Sequence, residues 1–139
     1  MEAALYSEKG RRDDLKLTKS ELEIMTVLWK AARPLSRGEI LSLSEEKTWK
    51  DNSIHILLNG MLKKEAIRED GYARSGKVWG RLYAPNCSME EYYAENLFAK
   101  CGQDNLLALF SALIRSESVT PELLDSMAAL LQARKKELK

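Results

Sequence analysis

The chain has 139 residues, of which 45% are apolar and 31% are charged, a balance that supports a packed core and excludes global disorder. It contains no run of about 18 apolar residues and no apolar N-terminal segment, so we expect a cytoplasmic protein without membrane insertion or a signal peptide. The net charge of +1 divides into +3 for residues 1–84 and −2 for residues 85–139. Any affinity for nucleic acid must therefore come from individually placed contacts.

Cysteine and histidine, which often bind metals or take part in catalysis, are few and far apart in this sequence. Cys87 and Cys101 lie 14 positions apart, and His55 is the only histidine. These spacings are not typical of a metal site, so we predict two reduced thiols and no bound metal. The sequence also lacks the motifs that cradle phosphates or activate a serine nucleophile. We therefore expect neither a cofactor nor an enzymatic activity.

The first elements are marked by helix-capping patterns. Residues 1–16 are highly charged and are predicted to form a flexible arm. Thr18 and Glu21 have capping-box spacing at the start of a helix, which should end near Ala32 because Pro34 disfavours helical geometry just before it. After a very short strand at Leu35, a second box (Ser36 and Glu39) starts a short helix. A polar turn then leads to a third helix, the order of a helix-turn-helix.

This third helix lies between residues 49 and 67 and has two different faces. Its large aliphatic residues recur at helical spacing and predict a buried stripe: Ile54, Leu57, Leu58, Met61 and Leu62. The opposite face carries short amides, a hydroxyl, an imidazole and one aliphatic group, and it lacks carboxylates. Such groups can contact base edges, and Ile56 can lie against a thymine methyl. The alternative is a polar surface helix that happens to lack acidic residues.

A β-hairpin is predicted next, with strands at Ile67–Tyr72 and Val78–Ala84. Gly76 would supply the positive φ of the connection, and Arg74 and Lys77 would lie at the tip. These two cations and seven residues at the third helix are the predicted DNA-binding residues: Lys50, Asn52, Ser53, His55, Ile56, Asn59, Lys63, Arg74 and Lys77.

The remainder is predicted to form three apolar helices. Ser88 and Glu91 form a third capping box, Gly102 fits a helix end, and Thr120-Pro121 starts the last helix. These helices either pack back on the N-terminal domain or pair with a second copy of the chain, and we favour the second copy. The predicted dimerisation residues are Tyr93, Leu97, Leu107, Phe110, Leu113, Leu124, Met127 and Leu131.

This order of elements resembles the BlaI/MecI/CopY family of bacterial repressors. The likeness spans residues 17–135 and is carried by Leu17–Met25 with Leu28 and Trp29, Pro34–Ser36 with Glu39 and Ile40, Trp49–Ile54 with Leu57 and Leu58, Lys63–Glu65, and Leu82–Pro85. The resemblance implies a homodimeric repressor whose third helix enters the major groove of an inverted-repeat DNA operator. It also implies release through a membrane sensor metalloprotease, with cleavage between Leu109 and Phe110, or through copper binding.

Three departures from the family pattern bear on these expectations. Ser53 stands where the family usually has Thr, and Gly60 stands where it usually has Arg. Gly60 removes a cation and weakens the helix by about 1 kcal/mol relative to Ala. The paired C-terminal cysteines of the copper-responsive branch are missing, which disfavours copper sensing.

The prediction is a mainly α-helical protein with a small β-hairpin. A flexible arm (residues 1–16) precedes a winged helix-turn-helix DNA-binding domain (17–86) and a helical dimerisation region (87–139). The predicted function is sequence-specific repression of transcription on double-stranded DNA. The alternative is a winged-helix protein-interaction module that does not bind DNA, supported by Gly60 and by the near-neutral charge.

Overall fold

The computed structural model describes residues 15–75 and 77–139. The predicted arm lies almost entirely outside these residues, as does Gly76. The elements in chain order are α1 (Lys19–Ala31), β1 (Leu35–Ser36), α2 (Arg37–Leu43), a 3₁₀ turn (Asp51–Ser53), α3 (Ile54–Lys63), β2 (Ile67–Ser75), β3 (Val78–Pro85), α4 (Met89–Ile114) and α5 (Pro121–Glu137). The described chain divides into two compact units after Ala99. The predicted functional boundary at residue 86 stays a prediction.

The predicted capping boxes form and set the helix starts. The Glu21 N–H donates to Thr18 Oγ1 at 3.2 Å, and the Thr18 N–H donates to Glu21 Oε1 at 2.9 Å. The same reciprocal pairs form at the starts of α2 and α4, between Ser36 and Glu39 and between Ser88 and Glu91. At its other end, α1 stops as predicted, with Ala32 in the left-handed conformation (φ 57°).

The box at α2 has an electrostatic consequence. The pKa of Glu39 is lowered, chiefly because the Ser36 N–H donates to its carboxylate and secondly because Arg33 does. A lowered folded-state pKa means that this cap stabilises the protein above the ordinary carboxyl pKa. The contribution is lost as pH falls through the lowered value.

The three strands form one antiparallel sheet in the order β1-β3-β2, with Leu35 opposite Tyr83. The predicted end of β2 at Tyr72 is wrong, because the strand continues to Ser75. Residues 73–75 pair with β3 up to Ser75↔Val78, so the connection between the strands is short. The strand also contains a bulge: the register advances from Glu69↔Tyr83 to Tyr72↔Arg81, which adds one residue to β2. Gly71 has φ 89° within the bulge, a conformation that glycine adopts without strain.

The core of the first unit contains the stripe predicted on α3, in which Ile54, Leu58 and Met61 are buried and Leu57 and Leu62 are half-buried. Fully buried side chains come from α1, β1, α2, α3 and β2, namely Ile24, Met25, Leu28, Leu35, Ile40, Ile54, Leu58, Met61 and Ile67. Tyr92 on α4 and Cys87 before it also belong to this core, and the Trp29 Nε1–H donates to the Cys87 carbonyl at 2.8 Å. The start of α4 is therefore part of the first unit.

An ion pair between a buried carboxylate and an exposed lysine connects α1 to the end of α3. The Glu21 side chain is only 7% exposed, and its Oε1 lies 2.6 Å from Lys64 Nζ. Lys64 also donates to the Lys16 carbonyl at 2.8 Å. A Cβ at Gly60 would lie 3.2 Å from Glu21 Oε2, so position 60 faces α1. The cation paired with this carboxylate is Lys64.

Replacing Lys64 with Ala is expected to lower the free energy of unfolding by about 1–3 kcal/mol, because it leaves a buried carboxylate without its cation. Thermal unfolding followed by circular dichroism measures the loss. The matched control is Lys63→Ala, which removes the preceding lysine, an exposed one. Equal unfolding midpoints for the two variants would show that the Glu21–Lys64 pair contributes no stability.

The second unit, residues 100–139, contains the end of α4 and all of α5. The backbone of α4 is non-helical at Gly102 (φ 69°, ψ 173°), which separates α4 into two helical segments as predicted. Thr120 Oγ1 accepts from the Leu123 N–H at 3.1 Å, and Pro121 occupies the first turn of α5. No side chain of residues 100–139 is buried. No helix among the described residues is long and apolar enough to cross a membrane.

Candidate nucleic-acid interface

The outward side of α3 and the turn before it present one continuous polar surface. We define the reading face as Asn52, His55, Ile56 and Asn59, all of which are exposed. Ile56 is 76% exposed and is the one large apolar side chain of this face. Ser53 is half-buried and caps no helix N–H, while the flanking Lys50 and Lys63 are exposed. The structure thus brings together all seven DNA-binding residues predicted at α3.

Contacts before α3 fix the start of this surface. The Glu23 carboxylate on α1 accepts from both the N–H and the hydroxyl of Thr48, each at 2.9 Å. Lys47 pairs with Asp51 at 2.7 Å, and its ammonium lies 5.6 Å from the ring centroid of the buried Trp49. The turn that carries Asn52 is therefore held to the core, and the reading face has a defined position relative to α1.

One residue of the surface is missing from the sequence prediction. Arg37, the first residue of α2, is exposed, and its Nη1 lies 2.9 Å from His55 Nε2 and 3.3 Å from His55 Nδ1. The two residues are 18 positions apart, so no local pattern indicates the contact. Only the packing of α2 against α3 in a helix-turn-helix could have suggested it.

The hairpin, which we call the wing, also differs from its prediction. Arg74 does not lie at the tip but within β2, opposite Trp79, whereas Lys77 is exposed beside the turn. Three large side chains of the wing are exposed and were not predicted: Tyr72 (65%), Val78 (68%) and Trp79 (64%). Residues 72–81 contain three cations and no carboxylate. The distal wing is therefore positively charged as well as partly apolar.

One of these three cations is paired with an acidic residue of β2. Arg81 Nη1 lies 2.6 Å from Glu69 Oε2. This bond is the main reason that the pKa of Arg81 is raised. Glu69 therefore compensates the charge of Arg81.

The predicted dimerisation residues are largely uncovered. The exposed fractions are 76% for Leu107, 53% for Leu113, 41% for Leu124 and 51% for Leu131, and in the first unit they are 45% for Tyr93 and 39% for Leu97. Met127 and the predicted cleavage pair Leu109 and Phe110 are half-buried. Leu124, Met127 and Leu131 follow helical spacing on one side of α5.

The described residues contain neither a cluster of metal ligands nor a disulfide bond. No group of three or more His, Cys, Asp or Glu side chains there is placed to hold a metal ion. Cys87 is buried and Cys101 is half-buried, and neither forms a disulfide bond among the described residues.

The chain is similar to several known proteins. The penicillinase repressor of Bacillus licheniformis is 30% identical over 76 residues, and the match covers 55% of this chain and 56% of that protein. The matched part of the chain thus spans about half the length of this relative. The solution structure of monomeric B. licheniformis BlaI in complex with the blaP half-operator is 29% identical and covers 55% of this chain and 88% of that one, with a TM-score of 0.40. The structure of a Lactococcus lactis ZitR variant is 16% identical. The match covers 91% of this chain and 78% of that one, with a TM-score of 0.39.

A family model covers most of the chain. The model of the penicillinase repressor, a family of transcriptional repressors and not of enzymes, matches residues 17–133. The match contains the helix-turn-helix, the wing, all of α4 and most of α5. The chain therefore belongs to the penicillinase repressor family.

Proposed function

We propose that this protein is a sequence-specific repressor that binds double-stranded DNA as a homodimer on an inverted repeat. The observation that carries the proposal is the reading face. It presents two amides, an imidazole and an exposed isoleucine without any carboxylate, on a helix whose other side is buried. An α-helix fits the major groove, where these groups distinguish the four base pairs. Membership of the repressor family and the half-operator complex of the B. licheniformis relative support it.

Within this proposal the contacts divide into two kinds. Asn52 and Asn59 suit the N6/N7 edge of adenine, and Ile56 suits the thymine methyl. Lys50 and Lys63 flank the reading face and would bind phosphates. The wing would add phosphate contacts through Arg74 and Lys77. Base contacts thereby select the sequence, and the cations set the overall affinity.

Dimerisation is proposed from the second unit. Forty residues without one buried side chain cannot be stable through their own packing, because burial of apolar surface is the main favourable term in folding. A second copy that packs on Leu107, Leu113, Leu124 and Leu131 would supply that burial. Two-fold symmetry of the dimer would then match the symmetry of an inverted repeat.

A protein-interaction module without DNA binding is the second candidate. The exposed Tyr72, Val78 and Trp79 of the wing favour it, because aromatic residues are enriched at protein interfaces. The distal wing also carries only positive charge, which fits DNA as well as an acidic protein partner.

Selection of duplexes from a random pool tests the DNA proposal. The wild-type protein is expected to enrich two inverted half-sites whose centres lie about one helical turn apart. Enrichment of one unrepeated half-site would contradict the dimer. A pool that remains random after selection would instead support the protein-interaction module.

Release from DNA is proposed to follow cleavage between Leu109 and Phe110, with a membrane sensor metalloprotease as the partner that leads to it. A cut in the second unit would separate α5 from the reading face and remove the shared apolar surface. Mass spectrometry of the chain from induced cells tests this step. Intact chains in cells that fully express the target genes would contradict it.

A further inference from the structure

The side chains of Arg37 and His55 stack at the edge of the reading face. Arg37 Nη1 lies 2.9 Å from His55 Nε2 and 3.3 Å from His55 Nδ1. The two ring nitrogens are bonded to the same carbon, Cε1, so an atom this close to both of them lies over the face of the ring. Arginine guanidinium groups are attracted to aromatic faces in this arrangement. The contact therefore holds the guanidinium of α2 against a side chain of α3.

The charge and most of the donors of Arg37 remain available to a partner molecule. Arg37 is exposed, and within residues 15–75 and 77–139 its guanidinium forms no ion pair with a carboxylate. By contrast, Arg33 is paired with Glu39 at 2.9 Å. A guanidinium has five N–H donors, and the stack on His55 is made through Nη1. The donors on Nε and Nη2 can therefore bind an anion while the stack is kept.

The position of Arg37 in the helix-turn-helix indicates which anion it meets. The other exposed cations that flank the reading face, Lys50 and Lys63, lie before α3 and at its end, whereas Arg37 adds a cation from α2. In a helix-turn-helix the second helix of the motif lies in the major groove, and the helix before it crosses the DNA backbone. A cation on α2 beside the reading face is therefore placed for a phosphate and not for a base edge.

We propose that Arg37 is a phosphate-binding residue of the DNA interface and that the ring of His55 positions its guanidinium. This inference rests on the proposed DNA-binding function. The planar guanidinium can bind two phosphate oxygens at once. Because the stack already restricts the side chain, less conformational freedom is lost on binding, which favours affinity. His55 acts on Arg37 through the face of its ring, whichever nitrogen carries the hydrogen.

Arg37→Ala is expected to weaken binding to the preferred duplex and to a scrambled duplex by a similar factor, about 10-fold per bound chain. It should also reduce the slope of log affinity against log salt by about 0.9 per bound chain, the contribution of one phosphate contact. Fluorescence anisotropy at several salt concentrations measures both quantities. The control is Lys30→Ala, which removes an exposed cation of α1 outside the predicted contacts and should keep the wild-type slope.

Two variants of His55 test the positioning role. His55→Phe keeps a planar ring without ring nitrogens, whereas His55→Ala removes the ring. In the His55→Phe background, Arg37→Ala should still weaken binding about 10-fold per bound chain. In the His55→Ala background, the effect of Arg37→Ala should fall to about 3-fold or less, because the guanidinium has already lost its support.

An unchanged salt slope in Arg37→Ala would overturn the inference. A loss of affinity confined to the preferred duplex would also overturn it, since it would assign Arg37 to a base. Equal effects of Arg37→Ala in all three backgrounds would show that the stack does not position the guanidinium. If Arg37→Ala does not fold, Arg37→Gln, which keeps a planar head group without the charge, takes its place. If the wild-type protein binds no duplex in a salt-dependent way, the proposed function itself fails.

Discussion

Leu131→Glu is expected to yield a monomer that binds its preferred duplex about 10²–10⁴-fold more weakly than the wild-type protein. Leu131 is 51% exposed on the apolar side of α5 that also carries Leu124 and Met127. Burying a leucine in a dimer stabilises it by about 1.5–3 kcal/mol, whereas burying an unpaired carboxylate is strongly unfavourable. Loss of the dimer removes the effective concentration by which the second half-site adds affinity.

Sedimentation velocity at micromolar concentration measures the oligomeric state, and fluorescence anisotropy with a labelled duplex measures the affinity. The matched control is Ala133→Glu, which adds the same charge to an exposed position on the opposite side of α5. It should remain dimeric with near wild-type affinity. A dimeric Leu131→Glu variant, or a wild-type protein that is monomeric at this concentration, would contradict the dimer interface.

The second large effect is expected at the reading face, where Ile56→Glu should lower the affinity for the preferred duplex by roughly 100-fold. Loss of a matched contact at one base pair typically costs about 1–3 kcal/mol. A carboxylate at this position would also be repelled by the phosphates. Ile56 is 76% exposed, so the folded state should keep its stability. Unfolding midpoints should therefore match those of the wild-type protein.

Met89→Glu is the control for this charge change. Met89 is 43% exposed at the start of α4, where a carboxylate is compatible with the helix dipole, and it lies outside the predicted contacts. Its affinity should stay within a few-fold of wild type. If Ile56→Glu retains wild-type affinity while the wild-type protein binds DNA specifically, α3 does not enter the groove through this face.

Local patterns predicted most of the first unit. The three capping boxes are short-range hydrogen-bond pairs, so Thr18, Ser36 and Ser88 could be assigned from spacing alone. The buried stripe of α3 follows from helical periodicity in the same way. The reading face was then identified by exclusion, as the side that the stripe leaves to solvent.

Features that depend on long-range packing were not predicted. The bulge at Gly71 adds one residue to β2. It could not be predicted, because only the pairing with β3 shows that the register shifts there. Arg37 meets His55 from 18 positions away, and Lys64 meets Glu21 from 43 positions away. The resemblance to the family marks Gly60 as a missing Arg, and only the fold shows that this position faces Glu21, which pairs with Lys64. In each case the residues that contact one another are far apart in the sequence, and no local pattern indicates the contact.

The most direct test of the account is a titration of the wild-type protein with its preferred duplex and with a scrambled duplex over a range of salt concentrations. DNA binding through placed cations predicts that log affinity falls linearly and steeply with log salt for both duplexes. It also predicts that the preferred duplex binds at least about 10³-fold more tightly than the scrambled one. Equal affinities for the two duplexes at every salt concentration would contradict sequence-specific repression.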